Sequence, residues 1–131
     1  MRYLLDADTL IDYIQDRGNA RPRITAMIEQ DDEVAVCAVT ITELYSGLSE
    51  KKRVLWDSWL LALPYWQVSF TTAMKAGIYR KNASEAGQTL SVSDSLLAAL
   101  AHEKNATLLT SNLKHYPMKD VRVLSLRERA A

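Results

Sequence analysis

Cysteine is nearly missing from this chain of 131 residues: Cys37 stands alone. A single thiol cannot close an internal disulfide. Its place in the apolar run Val34-Ala35-Val36-Cys37-Ala38-Val39 reads as a buried, inert side chain in a reducing compartment. Glycine is scarce as well, with 4 isolated residues, so no glycine-rich phosphate loop exists. There is no Gly-x-Ser-x-Gly elbow, which leaves nucleophile chemistry poorly supported. Histidine is limited to His102 and His115, and with one Cys they give no zinc-ligand spacing. An apolar run long enough to span a bilayer is absent, as is a charged start followed by an apolar signal core. The expectation is a soluble, cytoplasmic protein with no membrane partner. Neither sign of charge dominates, since Lys plus Arg and Asp plus Glu both number 16. That balance gives no support to a long duplex-binding surface, although a small basic patch beside an acidic pocket is compatible with it.

What is present is an alternation of short apolar runs and helical periodicity. The length suits one domain over 1–131, large enough to bury a core without a disulfide or metal to hold it. Residues 3–5 read as a buried strand, 8–15 and 23–29 as helices, and 34–39 as a strand buried on both faces. Helices follow over 40–48 and 51–63, the second stopped by Pro64. A weaker strand spans 65–70, and a helix spans 72–86 with Gly87 as its C-cap. A helix over 92–104, a strand over 106–110, a loop and an edge strand over 121–126 complete the pattern, with 127–131 as a frayed tail. Strands separated by helices predict βαβ units: an α/β fold, a three-layer α/β/α sandwich around a mostly parallel sheet. On the 51–63 helix, Leu55, Trp56, Trp59, Leu60 and Leu63 form one broad apolar stripe behind a solvated Lys51-Lys52-Arg53 start.

The carboxylates carry the chemistry. Asp6 closes the first apolar run, Glu43 sits where a strand hands over to a helix, and Asp94 opens another helix. In a parallel α/β sheet such transitions gather along one rim, where sites are built. Each acid also has a structural explanation. Thr40-x-x-Glu43 and Ser91-x-x-Asp94 fit capping boxes, and Asp6 or Asp8 suits the cap of the first helix. Together they weigh more. Carboxylates within ~4 Å of one another, at an effective dielectric near ~20, repel by about 4 kcal/mol per pair. Three such pairs rival the whole stability of a domain, roughly 5–15 kcal/mol. A converged cluster must bind a cation or take up protons, and oxygen ligands alone select Mg²⁺ or Mn²⁺. His115, in a loop near the rim, is a candidate substrate contact; His102 reads as a helix-surface residue.

Four segments in order, Leu4-Leu5-Asp6-Ala7-Asp8-Thr9-Leu10-Ile11-Asp12-Tyr13, Ile41-Thr42-Glu43-Leu44-Tyr45-Ser46-Gly47, Ser93-Asp94-Ser95-Leu96-Leu97-Ala98-Ala99-Leu100-Ala101 and Leu108-Leu109-Thr110-Ser111-Asn112-Leu113-Lys114-His115-Tyr116-Pro117, resemble the motifs of the PIN-domain nucleases. Within that family they look like the VapC-type toxins of bacterial toxin–antitoxin pairs. The resemblance implies a Mg²⁺- or Mn²⁺-dependent endoribonuclease, a homodimer, and a cognate antitoxin that neutralises it. Asp6, Glu43 and Asp94 would be its acidic residues, with Asp6 and Asp94 as direct metal ligands and Glu43 in support. Thr110 and Asn112 would orient ligands, with Asp8 as a spare acid. Asn112 stands where many members have a fourth Asp, which bears on whether one metal or two bind. Two other readings stay open. One is a non-catalytic PIN-like binding module. The other is a haloacid-dehalogenase-like phosphatase, for which Asp6-Ala7-Asp8 is suggestive but the following Thr falls one residue early.

Overall fold

In a computed structural model the described residues are Met1–Arg127. The chain begins with β1 (Arg2–Leu5), α1 (Ala7–Ile14) and α2 (Ala20–Glu29), then β2 (Glu33–Cys37), α3 (Ala38–Gly47) and α4 (Glu50–Leu61). It continues with β3 (Tyr65–Trp66), α5 (Phe70–Glu85), α6 (Val92–Glu103), β4 (Thr107–Leu109), a single 3₁₀ turn (Leu113–His115) and β5 (Arg122–Leu124). All strand pairs are parallel, in the order β3-β2-β1-β4-β5. The chain winds outward from β1 through β2 to β3, then returns to lay β4 on the other side of β1. This reversal opens a crevice at the C-terminal ends of β1 and β4, the place where open α/β sheets bind ligands.

Alternation along the strands divides the core between two faces. Leu4, Ala35, Cys37 and Leu108 pack with Ala76, Tyr79, Leu97 and Leu100 of α5 and α6. Leu5, Val34, Val36 and Leu109 pack with Leu10, Ile14, Ile24, Leu44 and Leu60 of α1 to α4. Each fully buried leucine contributes about 1.5–3 kcal/mol. The sheet is thus the middle of three layers, as the alternation of runs predicts. Cys37 is buried and free, also as expected.

Several boundaries move. The run at 34–39 stops being strand at Cys37, and α3 starts at Ala38, not at Thr40. The weak strand at 65–70 shrinks to Tyr65–Trp66, because Ser69 and Thr72 form a reciprocal capping box that starts α5 early. Gly87 does end the α5 turn, at φ +77°, where only glycine is unstrained. The apolar stripe of α4 is narrower than its sequence suggests, since Leu55 is 67% exposed. Trp56 and Trp59 instead close on Tyr13 of α1, with Trp59 stacked at 4.3 Å and Trp56 edge-on at 5.8 Å. The frayed tail expected over 127–131 lies outside the described residues from 128 onward. Arg127 itself is held by the buried Asp12 through bonds of 2.9 and 3.1 Å.

Candidate active site

The site grows from the β1–β4 crevice. Leu5 and Leu109 are register partners, so Asp6 and Thr110 leave the sheet side by side. The Asp6 amide donates to the Leu109 carbonyl at 2.9 Å, and the Thr110 hydroxyl donates back to Asp6 Oδ2 at 2.9 Å. Asp6 also caps α1 by accepting from the Ala7 amide at 2.7 Å, so its carboxylate is tied from two sides. Burial raises the Asp6 carboxyl above its ordinary range, and the charge of Asp8 adds to the shift. Bonds from Thr110, Tyr116 and the Ala7 amide work against it without cancelling it.

Asp94 arrives on the first turn of α6. Ser91 is the N-cap, its hydroxyl accepting from the Asp94 amide at 3.0 Å. The cap explains where α6 starts but leaves the Asp94 carboxylate available, at the positive end of the helix where an anion is favoured. Tyr116 joins the two acids. Its buried hydroxyl lies 2.9 Å from Asp6 Oδ2 and 3.1 Å from Asp94 Oδ1. A phenol has one proton, so it can donate to only one of two ionised carboxylates. The other is left facing an oxygen lone pair. Burial and both negative neighbours push the Tyr116 hydroxyl far up, so it stays protonated.

Glu43 joins from α3. The buried Thr40 hydroxyl donates to the Leu5 carbonyl at 2.8 Å, which holds α3 against the end of β1. Thr40 is therefore a helical residue locked into the core and not a cap, and the capping explanation for Glu43 falls away. Glu43 lies one turn further along the same side of α3. Partial desolvation raises its carboxyl although the residue is exposed, and the charges of Asp6, Asp94 and Asp8 raise it further, with Ser93 opposing. Asp8 is less spare than the sequence suggests. Its Oδ2 accepts from the Ser111 amide at 3.1 Å, from the Asn112 side-chain amide at 2.8 Å and from the Ser111 hydroxyl. Asn112 is thus turned toward Asp8. His115 Nδ1 stands 3.4 Å from Asp94 Oδ2 on an exposed loop.

The crevice therefore unites Asp6 and Thr110 directly, Asp94 through the Tyr116 hydroxyl, Glu43 through its field, and Asp8 and Asn112 in an adjoining network. Among the described residues, no three His, Cys, Asp or Glu side chains already enclose an ion-sized space. The donor set is nonetheless all oxygen, and Mg²⁺ commonly binds through one or two carboxylates while keeping waters. Tyr116 and Ser111 were not singled out from sequence. The available signal for Tyr116 is that it is the one Phe, Trp or Tyr in the polar stretch 111–120.

A family profile described as PIN domain matches residues 3–121. Ribonuclease VapC19 of Mycobacterium tuberculosis is 24% identical over 115 residues, covering 88% of this chain and 92% of the relative. Ribonuclease VapC2 of Rickettsia felis is 24% identical over 121 residues, covering 88% and 90%. Among solved structures, VapBC2 of Rickettsia felis bound to a promoter DNA fragment superposes with a TM-score of 0.83 at 21% identity, over 95% of this chain and 98% of that one. DNA-bound VapBC of Salmonella typhimurium also gives 0.83, at 19% identity, over 96% and 98%. At these identities the structural likeness concerns the fold.

Proposed function

This chain belongs to the PIN-domain family, and on that premise we propose that it is a metal-dependent endoribonuclease, the toxin of a toxin–antitoxin pair. The observation that carries the reading is the Asp6–Tyr116–Asp94 bridge at the β1–β4 crevice. Two carboxylates sharing one phenol proton keep an uncompensated negative charge that a divalent cation would balance. Asp6 and Asp94 would hold Mg²⁺ or Mn²⁺ through carboxylate oxygens, with Glu43 supporting it. The ion, when bound, supplies an acidified water and offsets charge building on the phosphodiester. The chain's own residues do the positioning. Thr110 and Tyr116 fix the rotamer of Asp6, Ser91 fixes the start of α6 and with it Asp94, and Asp8 pins the 110–112 turn through Ser111 and Asn112.

The relatives named ribonuclease VapC support RNA as substrate. The VapBC complexes support a cognate antitoxin as partner. We extend the reading to a homodimer and to a cytoplasmic setting; no helix among the described residues is long and apolar enough to cross a membrane. The family match leaves the phosphatase alternative without support. The non-catalytic alternative has one observation on its side, the lack of a ready-made ion cage among the described residues. Expression in a bacterial host separates the two. The toxin reading predicts growth arrest, relieved by the neighbouring open reading frame and by Asp6→Asn. Unimpaired growth with the intact protein accumulating in soluble form contradicts it.

A further inference from the structure

Beside the acidic crevice lies a cleft of about 450 Å³ that reaches from Asp94 and His115 past Lys114 to Gln88, Thr89 and Pro117. That volume is within the range of small-ligand sites, roughly 300–1,000 Å³, and gives room for one nucleotide. Its two walls are fixed. One is the turn after α5, where Gly87 at φ +77° lets the Gln88 amide reach back to the Ala83 carbonyl at 2.8 Å. Arg80 Nε holds the same turn through the Leu90 carbonyl at 3.0 Å. The other wall is the 3₁₀ turn, anchored by Tyr116 to Asp6 and Asp94.

Between these fixed walls the side chains of Gln88, Thr89 and Lys114 are exposed. Among the described residues none of the three has a hydrogen-bond or ion-pair partner within the protein. An amide, a hydroxyl and an ammonium left free on a rigid frame are the groups that read base edges and hold a phosphate. A second depression of about 330 Å³ shares Gln88 and Pro117 and leads on to Met118 and Lys119. The groove so formed starts at the acids and holds Lys114 and then Lys119, while Asp120 at its far end is engaged by the Tyr79 hydroxyl at 3.0 Å and by Lys75 at 3.7 Å.

We propose that this cleft seats the nucleotide next to the scissile phosphate of single-stranded RNA, with Lys114 holding the backbone and Gln88 and Thr89 selecting the base. The inference rests on the ribonuclease reading above and adds where substrate preference is set. An unpaired strand suits the cleft better than a duplex, because the deep, narrow major groove of A-form RNA keeps side chains from its base edges and unpaired bases can be splayed out to be read.

Two measurements test it. The first is the affinity of the full chain carrying Asp6→Asn for a short fluorescein-labelled single-stranded RNA. Adding Lys114→Ala weakens binding roughly five- to tenfold, and Lys114→Arg restores most of it. Arg122→Ala removes the same charge from the opposite end of the sheet and leaves affinity unchanged. The second is sequencing of the ends released from a randomised RNA pool by the otherwise wild-type chain. Gln88→Ala with Thr89→Val flattens base preference at one position beside the cut, by roughly tenfold. Equal affinities for Lys114→Ala and Arg122→Ala, or an unaltered cut-site profile in the double variant, overturn the proposal. A wild-type chain that cuts no RNA but binds it through Lys114 overturns the ribonuclease reading and upholds the cleft.

Discussion

Tyr116 is the residue on which the site turns. Among the described residues its hydroxyl is the one group that hydrogen-bonds to both Asp6 and Asp94, at 2.9 and 3.1 Å, so it sets their spacing. Tyr116→Phe keeps the ring in the core and removes only that link. Metal-dependent RNA cleavage should fall by about 10- to 100-fold, with more metal needed for half-maximal rate, as for other groups that orient ligands. Wild-type rates at wild-type metal concentrations contradict this role. Asp6 and Glu43 give a pH signature. Both carboxyls are raised, by desolvation first and by neighbouring negative charge second. A carboxyl raised on folding binds its proton more tightly in the folded chain, so its favourable contribution exists below the ordinary carboxylate range. It is lost as pH climbs through the raised value. The metal-free Asp6→Asn variant should therefore gain thermal stability relative to wild type between about pH 4 and pH 7. A constant difference across that range removes the electrostatic argument. The acids were legible in sequence because periodicity places Asp6 at a strand end, Glu43 in the helix that follows the second strand, and Asp94 at a helix start. Tyr116 was not, because nothing local ties a loop tyrosine to carboxylates 22 and 110 residues away.

Helices deliver these groups, and their ends decide how well. Ser91 starts α6 and thereby places Asp94, so Ser91→Ala should lower unfolding stability by about 1 kcal/mol and slow cleavage as well. Denaturant titration and RNA assay on the same preparation check both; loss of stability alone would reduce Ser91 to a cap. Asp12 of α1 provides a contrast with Asp6. Burial works to raise it, but hydrogen bonds from Arg127 and Arg17 outweigh burial and hold the carboxyl below its usual range. Its stabilisation is thus present above the ordinary carboxylate range and lost as pH falls through the lowered value. Arg127→Ala should cost about 1 kcal/mol at neutral pH, discounted because the guanidinium is half exposed, and much less in acid. The same comparison shows where sequence patterns mislead. Ser91-x-x-Asp94 and Thr40-x-x-Glu43 look alike as cap signals, yet Ser91 caps a helix and Thr40 lies inside one. The difference is tertiary: the Thr40 hydroxyl is taken by the Leu5 carbonyl across the sheet. Ser69 and Thr72 were the reverse case, a true capping box hidden inside a segment whose aromatic residues read as strand.

Across the whole molecule, the strand order β3-β2-β1-β4-β5 brings residues from four distant segments to one crevice. The parallel three-layer architecture was legible because apolar runs buried on both faces alternate with helical periodicity. The order of strands was not, since periodicity carries no information on which side of β1 the chain returns to. That return creates the crevice, and with it the juxtaposition of Asp6 and Thr110. A domain of net charge +0 then presents acids at the crevice and Lys114 and Lys119 along the adjoining groove. Such an arrangement suits a small local RNA structure more than long tracking of a backbone. The measurement that bears most directly on the account is cleavage of a mixed RNA pool by the purified chain, with Mg²⁺ or Mn²⁺ present and with EDTA added. Cleavage that EDTA abolishes, that excess metal restores, and that Asp6→Asn lacks despite a wild-type circular dichroism spectrum is the predicted result. Cleavage that persists in EDTA, or that the folded Asp6→Asn protein performs at the wild-type rate, would contradict it.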